Sequence, residues 1–130
     1  MYRILVCDDE KDIVSALKIY LMADGYQVFE AYNGREALEI LKKEDIHLVL
    51  MDIMMPVMNG YEATKMIRSL DREDAKKIPI IAMTANAFTE DRIRAKEAGM
   101  NEHVAKPVDV GLLIKVIHKL VKYNGYGSDK

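Results

Sequence analysis

The sequence predicts an α/β fold: a doubly wound, five-stranded parallel sheet in the order 2-1-3-4-5, covered by helices on both faces. Three observations lead there. Short apolar runs alternate with stretches of helical periodicity along the whole chain, giving five β-α units. The connections between them are short, which implies a parallel sheet with crossover helices. The runs also differ in polarity. The first, third and fourth are continuous and apolar, as strands buried on both faces must be, whereas the second carries Gln27 and Glu30 and the fifth Glu102 and His103. The last two belong at the edges.

The elements follow in order. Ile4 to Cys7 is the first strand. Ile13, Leu17, Tyr20 and Leu21 recur at helical spacing, and Asp24-Gly25 ends that helix. Gln27 to Ala31 is a weaker strand. Asn33 with Glu36 has the pattern of a capping box and opens a helix through Ala37, Leu38 and Leu41. His47 to Met51 is the third strand. Asn59 with Glu62 repeats the box ahead of Tyr61, Met66, Ile67 and Leu70. The charged run Asp71 to Lys77 reads as a solvated helix end and loop. Ile78 to Met83 is the fourth strand, with Pro79 at its start, where a missing N–H is tolerated. Thr89 can cap a helix that ends before Gly99. Glu102 to Ala105 is the short fifth strand. Asp109 caps a last helix with an apolar face of Leu113, Val116, Ile117, Leu120 and Val121. Residues 1–123 read as one domain and 124–130 as a tail or linker stub.

Composition narrows the function. Half of the 130 residues are hydrophobic, enough for a sizeable core. A formal net charge of -2 makes no electrostatic case for nucleic acid or an anionic membrane. No apolar stretch approaches the roughly 20 residues of a membrane helix. The single cysteine, Cys7, lies in an apolar run and reads as a small buried hydrophobe. It cannot pair internally, so a reducing, cytoplasmic setting is expected. The N-terminal run enters a strand at once, which leaves no room for a signal peptide.

The informative residues sit at strand ends. Asp8 and Asp9 follow the first strand, and Asp52 follows the third. In the order 2-1-3-4-5 these two strands are neighbours, and ligands bind beyond their carboxyl ends. Two carboxylates about 5 Å apart repel by roughly 3 kcal/mol at an effective dielectric near 20. Such a cluster calls for a divalent cation or for a carboxylate that reacts. Thr84 follows strand four and Lys106 follows strand five. Hard oxygen ligands suit magnesium, and a hydroxyl with an ammonium suits phosphoryl oxygens. The set reads as a site where one aspartate receives a phosphoryl group as nucleophile. Taken singly, each of these residues is a helix cap, a turn residue or a surface lysine. Their joint placement on successive strand ends carries the argument.

The motifs Cys7-Asp8-Asp9-Glu10, Asp52 through Pro56 to Gly60, Met83-Thr84-Ala85 and Ala105-Lys106-Pro107 stand in one order and spacing. With them the chain resembles the receiver domain of bacterial response regulators, the phosphoacceptor half of two-component signalling, from Arg3 to about Tyr123. The resemblance implies a flavodoxin-like three-layer sandwich with Asp52 as the phosphorylation site. It implies Mg2+ held by Asp8, Asp9, Asp52 and the backbone carbonyl of Met54, and phosphoryl oxygens held by Thr84 and Lys106. It implies a cis Lys106-Pro107 bond. It also implies a switch in which Thr84 moves toward the phosphate and a strand-five aromatic follows. The matching residue is His103, where tyrosine or phenylalanine is more usual; an ordinary edge histidine is the other reading. The implied partner is a histidine kinase or histidine phosphotransfer protein, with a homodimer left open.

The stretches Met83 to Phe88 and Ala98 to His103 look most like receivers attached to hybrid histidine kinases. Two other readings compete. A magnesium-dependent aspartyl-phosphate phosphatase would place a general acid two residues past the nucleophile, where this chain has Met54. A flavin or nucleotide binder would show glycine- or hydroxyl-rich loops at the strand ends. No G-x-G-x-x-G or P-loop pattern occurs.

Overall fold

A computed structural model of the chain describes residues 2–85 and 89–123, without the side chains at 89, 122 and 123. The elements run β1 (Arg3–Cys7), α1 (Lys11–Ala23), β2 (Gln27–Ala31), α2 (Gly34–Lys43), β3 (Leu48–Asp52), α3 (Gly60–Arg68), α4 (Glu73–Lys77), β4 (Ile80–Thr84), α5 (Thr89–Ala98), β5 (Glu102–Ala105) and α6 (Val110–Tyr123). The sheet is parallel throughout, in the order β2-β1-β3-β4-β5. This is the expected topology. The residues called a tail, 124–130, lie outside those described.

Polarity sorted the strands correctly. Every residue of β3 and β4 is buried, whereas β2 keeps Gln27 exposed and β5 keeps Ala105 exposed. Alternation along the strands splits the core in two. Leu5, Val49, Met51, Ile80 and Ala82 face α2, α3 and α5. Ile4, Val6, Leu48, Leu50, Ile81 and Met83 face α1 and α6. Cys7 is fully buried, with its thiol 3.4 Å from the carbonyl of Asn33, and burial pushes its pKa far up. It is an inert core residue.

Several local expectations shift. Tyr20 points outward at 52 % exposure, because Val14, Leu17 and Leu21 form the buried stripe of α1. Met66 is likewise 46 % exposed. The box at Asn59 is complete, with Asn59 accepting from the Glu62 N–H and Glu62 accepting from the Asn59 N–H. At Asn33 only half of it forms: the Glu36 carboxylate accepts instead from Tyr32, one residue earlier. The charged run contains a short helix, α4, whose Ala75 packs on the core. Thr89 is the first helical residue of α5, and its side chain is outside those described. Asp109 caps α6 by accepting from the Leu112 N–H at 3.2 Å.

Candidate functional site

Backbone ladders continue past the strand ends and place the site. The Asp8 N–H donates to Ala31, the Ile53 N–H to Met83 and the Lys106 N–H to Thr84, at 3.1, 3.0 and 2.8 Å. Cys7 is in register with Met51, Asp52 with Met83, and Thr84 with Ala105. The side chains one residue beyond β1 and β5, and those ending β3 and β4, therefore share one edge of the sheet. Asp8, Asp9, Asp52, Thr84 and Lys106 come together as the sequence indicated. Asp8, Asp52 and Thr84 are buried, and Asp9 is exposed at the mouth.

Lys106 joins the carboxylates. Its ammonium lies 2.8 Å from Asp8 Oδ2, 3.1 Å from Asp52 Oδ1 and 3.7 Å from Glu10 Oε1. Burial works to lower its pKa, but the Asp8 and Asp52 carboxylates outweigh this and hold it raised. Asp52 is pushed up to about 6 by burial and by the Asp8 charge, partly offset by Lys106 and by a long contact from the Met54 N–H. Asp8 does two jobs. Its Oδ1 accepts from the Glu10 N–H at 2.9 Å, which turns the chain into α1. Its Oδ2 meets the Lys106 charge but has no aligned hydrogen bond.

These residues fit a hard divalent cation. Oxygen atoms of Asp8, Asp9 and Asp52 all lie within 4.8 Å of one another. Three carboxylates and one ammonium leave a formal charge of -2. A buried carboxylate oxygen without an aligned donor, in a pocket of that charge, is what a cation would satisfy.

The loop after β3 is shaped by two constraints. A Cβ at Gly60 would stand 2.3 Å from the carbonyl oxygen of Asp52, so only glycine lets α3 start so close to the site. Val57 has φ 70, a left-handed backbone that a β-branched residue resists, and its side chain is fully exposed. The Lys106-Pro107 bond is cis, as the resemblance implied. His103 is half-buried on β5, in register with Ala82, and borders a groove with Arg92, Ala95 and Lys96 of α5.

Sequence reasoning missed the neighbours of the site. Glu10 reaches Lys106, a contact signalled by its place directly after Asp8-Asp9. Arg68 donates to the carbonyls of Gly99 and Ala75 and to Asn101, which ties α3 to the turn before β5. Arg94 covers the ring of Tyr61. Arg68 lies on an amphipathic helix and Arg94 on a charge-rich one, and nothing local separates either from a solvated charge.

A buried acidic pocket at the β1/β3 switch point, closed by a lysine from β5 and a threonine from β4, defines a phosphoacceptor-type signalling module. A family profile described as response regulator receiver domain matches residues 4–118. Protein PilH of Pseudomonas aeruginosa is 35% identical over 121 residues, covering 93% of this chain and 98% of that one. A probable transcriptional regulator, ycf29, of Pyropia yezoensis is 34% identical over 92% of this chain, and the chain spans 53% of that relative's length. Among solved structures, chemotaxis protein CheY4 of Vibrio cholerae superposes with a TM-score of 0.87 at 30% identity, covering 92% of this chain and 98% of that one. The receiver domain of a sensor histidine kinase from Pseudomonas aeruginosa, solved with magnesium coordinated in its active-site cleft, gives 0.82 at 33% identity over 95% of this chain and 98% of that one. The chain belongs to the response regulator receiver domain family, the receiver module of two-component systems.

Proposed function

We propose that Asp52 accepts a phosphoryl group from a phosphohistidine on a partner kinase or histidine phosphotransfer protein. The observation that carries this is Lys106, held between Asp8 and Asp52 at 2.8 and 3.1 Å in a buried pocket. A Asp52 carboxylate oxygen attacks phosphorus, the P–N bond breaks, and the departing imidazole takes its electron pair and a proton from solvent. Lys106 and the Thr84 hydroxyl hold the equatorial oxygens, where most of the charge develops. Magnesium would be held by Asp8, Asp9, Asp52 and the carbonyl of Met54, and would supply charge neutralisation for the incoming phosphoryl group. Asp8 and Asp9 line the pocket beside Asp52. The Thr84 hydroxyl and His103, both on the α5 side of the sheet, form the switch face.

The residue two past the nucleophile, Met54, is 72 % exposed and carries no acid, which favours a stoichiometric phosphoacceptor over a phosphatase. Hence the module acts as a signalling receiver rather than as an enzyme with many turnovers. Residues 1–123 constitute this module. Both kinase-attached receivers and short regulators are among its relatives, and a hybrid kinase is the parent we favour. No described helix is long and apolar enough to cross a membrane, and a cytoplasmic module fits the histidine kinase partnership.

The test is incubation with magnesium and acetyl phosphate. The wild type should gain one base-labile phosphate, and Asp52→Asn should gain none at that site while remaining folded by circular dichroism. Stoichiometric labelling of Asp52→Asn in the same peptide would defeat the assignment.

A further inference from the structure

The N-terminal edge of the sheet, opposite the phosphoacceptor pocket, holds a cluster that the proposed function does not use. At the start of β1 the Arg3 N–H donates to a side chain, Nδ1 of His47, at 2.9 Å. The His47 N–H donates in return to the Arg3 carbonyl at 2.8 Å. An imidazole thus completes the ladder between β1 and the approach to β3. The ring is half-buried and stands edge to face with Tyr2, 5.6 Å between centroids, and Tyr2 lies 6.4 Å from Tyr26. The bond fixes a protonation state. A ring nitrogen that accepts from an N–H carries no proton, so His47 is neutral with its hydrogen on Nε2. Imidazolium has an N–H at both nitrogens, and one on Nδ1 would face the Arg3 amide donor to donor. The surroundings agree with the neutral form. Burial, the Arg3 charge and the terminal amine hold the His47 pKa below the ordinary histidine value, while Asp45 works the other way. The Arg3 guanidinium itself meets Glu44 at 2.8 Å and the Asp45 carbonyl at 3.4 Å, and covers the ring of Phe29. Beyond Tyr26, His118 faces Asp24 at 3.1 Å.

We propose that His47 is a proton-operated pin on the first strand: neutral, its Nδ1 fastens the start of β1 to the approach to β3; protonated, it releases the Arg3 N–H and frees that end of the strand. The neutral form belongs to the folded chain. Its stabilisation is therefore present above the ordinary histidine pKa and is lost as pH falls through the lower folded value. The start of β1 is held on two sides. On the β2 side the Gln27 N–H donates to the Tyr2 carbonyl at 2.9 Å, and on the β3 side stands His47. A proton on His47 acts on the second of these, so the response is local to the first residues of β1.

The experiment follows the full chain by NMR from about pH 8 to about pH 5, the range in which histidine titrates. Asp52 titrates in the same range, so the readout is local: the exchange protection of the Arg3 amide relative to that of Leu50 in the middle of β3. At the upper end the ring-nitrogen shifts of His47 should show a hydrogen on Nε2 and none on Nδ1. On acidification, as His47 takes its proton, the relative protection of Arg3 should fall about five-fold, the loss of one hydrogen bond. His47→Asn places an amide oxygen near the position of Nδ1 and takes no proton, so Arg3 should stay protected in acid. His47→Ala should leave Arg3 equally unprotected across the range. A hydrogen on Nδ1 at the upper end overturns the proposal. So does wild-type Arg3 protection that holds constant while His47 titrates. An equal fall in His47→Asn also overturns it, because the proton then acts elsewhere.

Discussion

At the residue scale, the pocket is built around a charge the fold resists. Asp52 is buried beside Asp8, and its pKa stands at about 6 against 3.8 for the free group. The folded state thus holds a proton on Asp52 that the unfolded chain has already released between those values. The stabilising contribution of the protonated group is fully present below about pH 4 and is lost as pH rises through about 6. In metal-free buffer, Asp52→Asn should be more stable than the wild type by ~2–3 kcal/mol at pH 7, with the two converging below pH 4. Urea titrations at several pH values measure this. A constant offset across the range would mean that Asp52 is not under electrostatic strain. Val57 shows a second form of strain. A β-branched side chain held at φ 70 in the loop after Asp52 makes that backbone path more important than the local preference it overrides.

At the scale of elements, the loop from β3 to α3 determines whether Asp52 is correctly placed. The Gly60 N–H donates to Ile53 at 2.9 Å, so the helix start folds back onto the end of the strand. The Asn59 box then satisfies the first turn of α3. A methyl group at position 60 would enter the space of the Asp52 carbonyl, and the backbone would have to move. We expect Gly60→Ala to destabilise the fold by about 2–3 kcal/mol and to slow acetyl phosphate labelling of Asp52 more than a stability loss of that size explains. Comparing labelling rates well below the unfolding transition separates the two effects. Labelling at the wild-type rate would show that the loop adjusts freely. The box at α2 is half-formed because the Glu36 carboxylate accepts from the Tyr32 N–H rather than from that of Asn33.

At the scale of the whole molecule, the sheet delivers three carboxylates and one ammonium to one edge and leaves a formal -2 there. A cation that binds only the folded chain stabilises it by mass action. At ten times its dissociation constant this amounts to about 1.4 kcal/mol, which is several degrees in Tm for a domain of this size. Magnesium at millimolar concentration should therefore raise the Tm of the wild type. Asp9→Asn, which alters only an exposed carboxylate, should remove most of that shift. A wild-type Tm that does not respond to magnesium would refute the cation site.

The sequence by itself determined the class of fold, the strand order and which polar residues share one edge of the sheet. These follow from quantities written locally: the polarity of each strand reports its place in the sheet, and the residue ending each strand lies at one edge whenever the strands are parallel. The cap at Asn59 and the burial of Cys7 and Met51 were legible for the same reason. Tertiary structure alone decided the rest. Whether Lys106 bridges Asp8 and Asp52, whether Tyr20 or Val14 faces the core, and where Arg68 and Arg94 anchor depend on distances between elements remote in the chain. A long charged side chain carries no local mark of its partner, because what it meets is set by how neighbouring helices pack against the sheet.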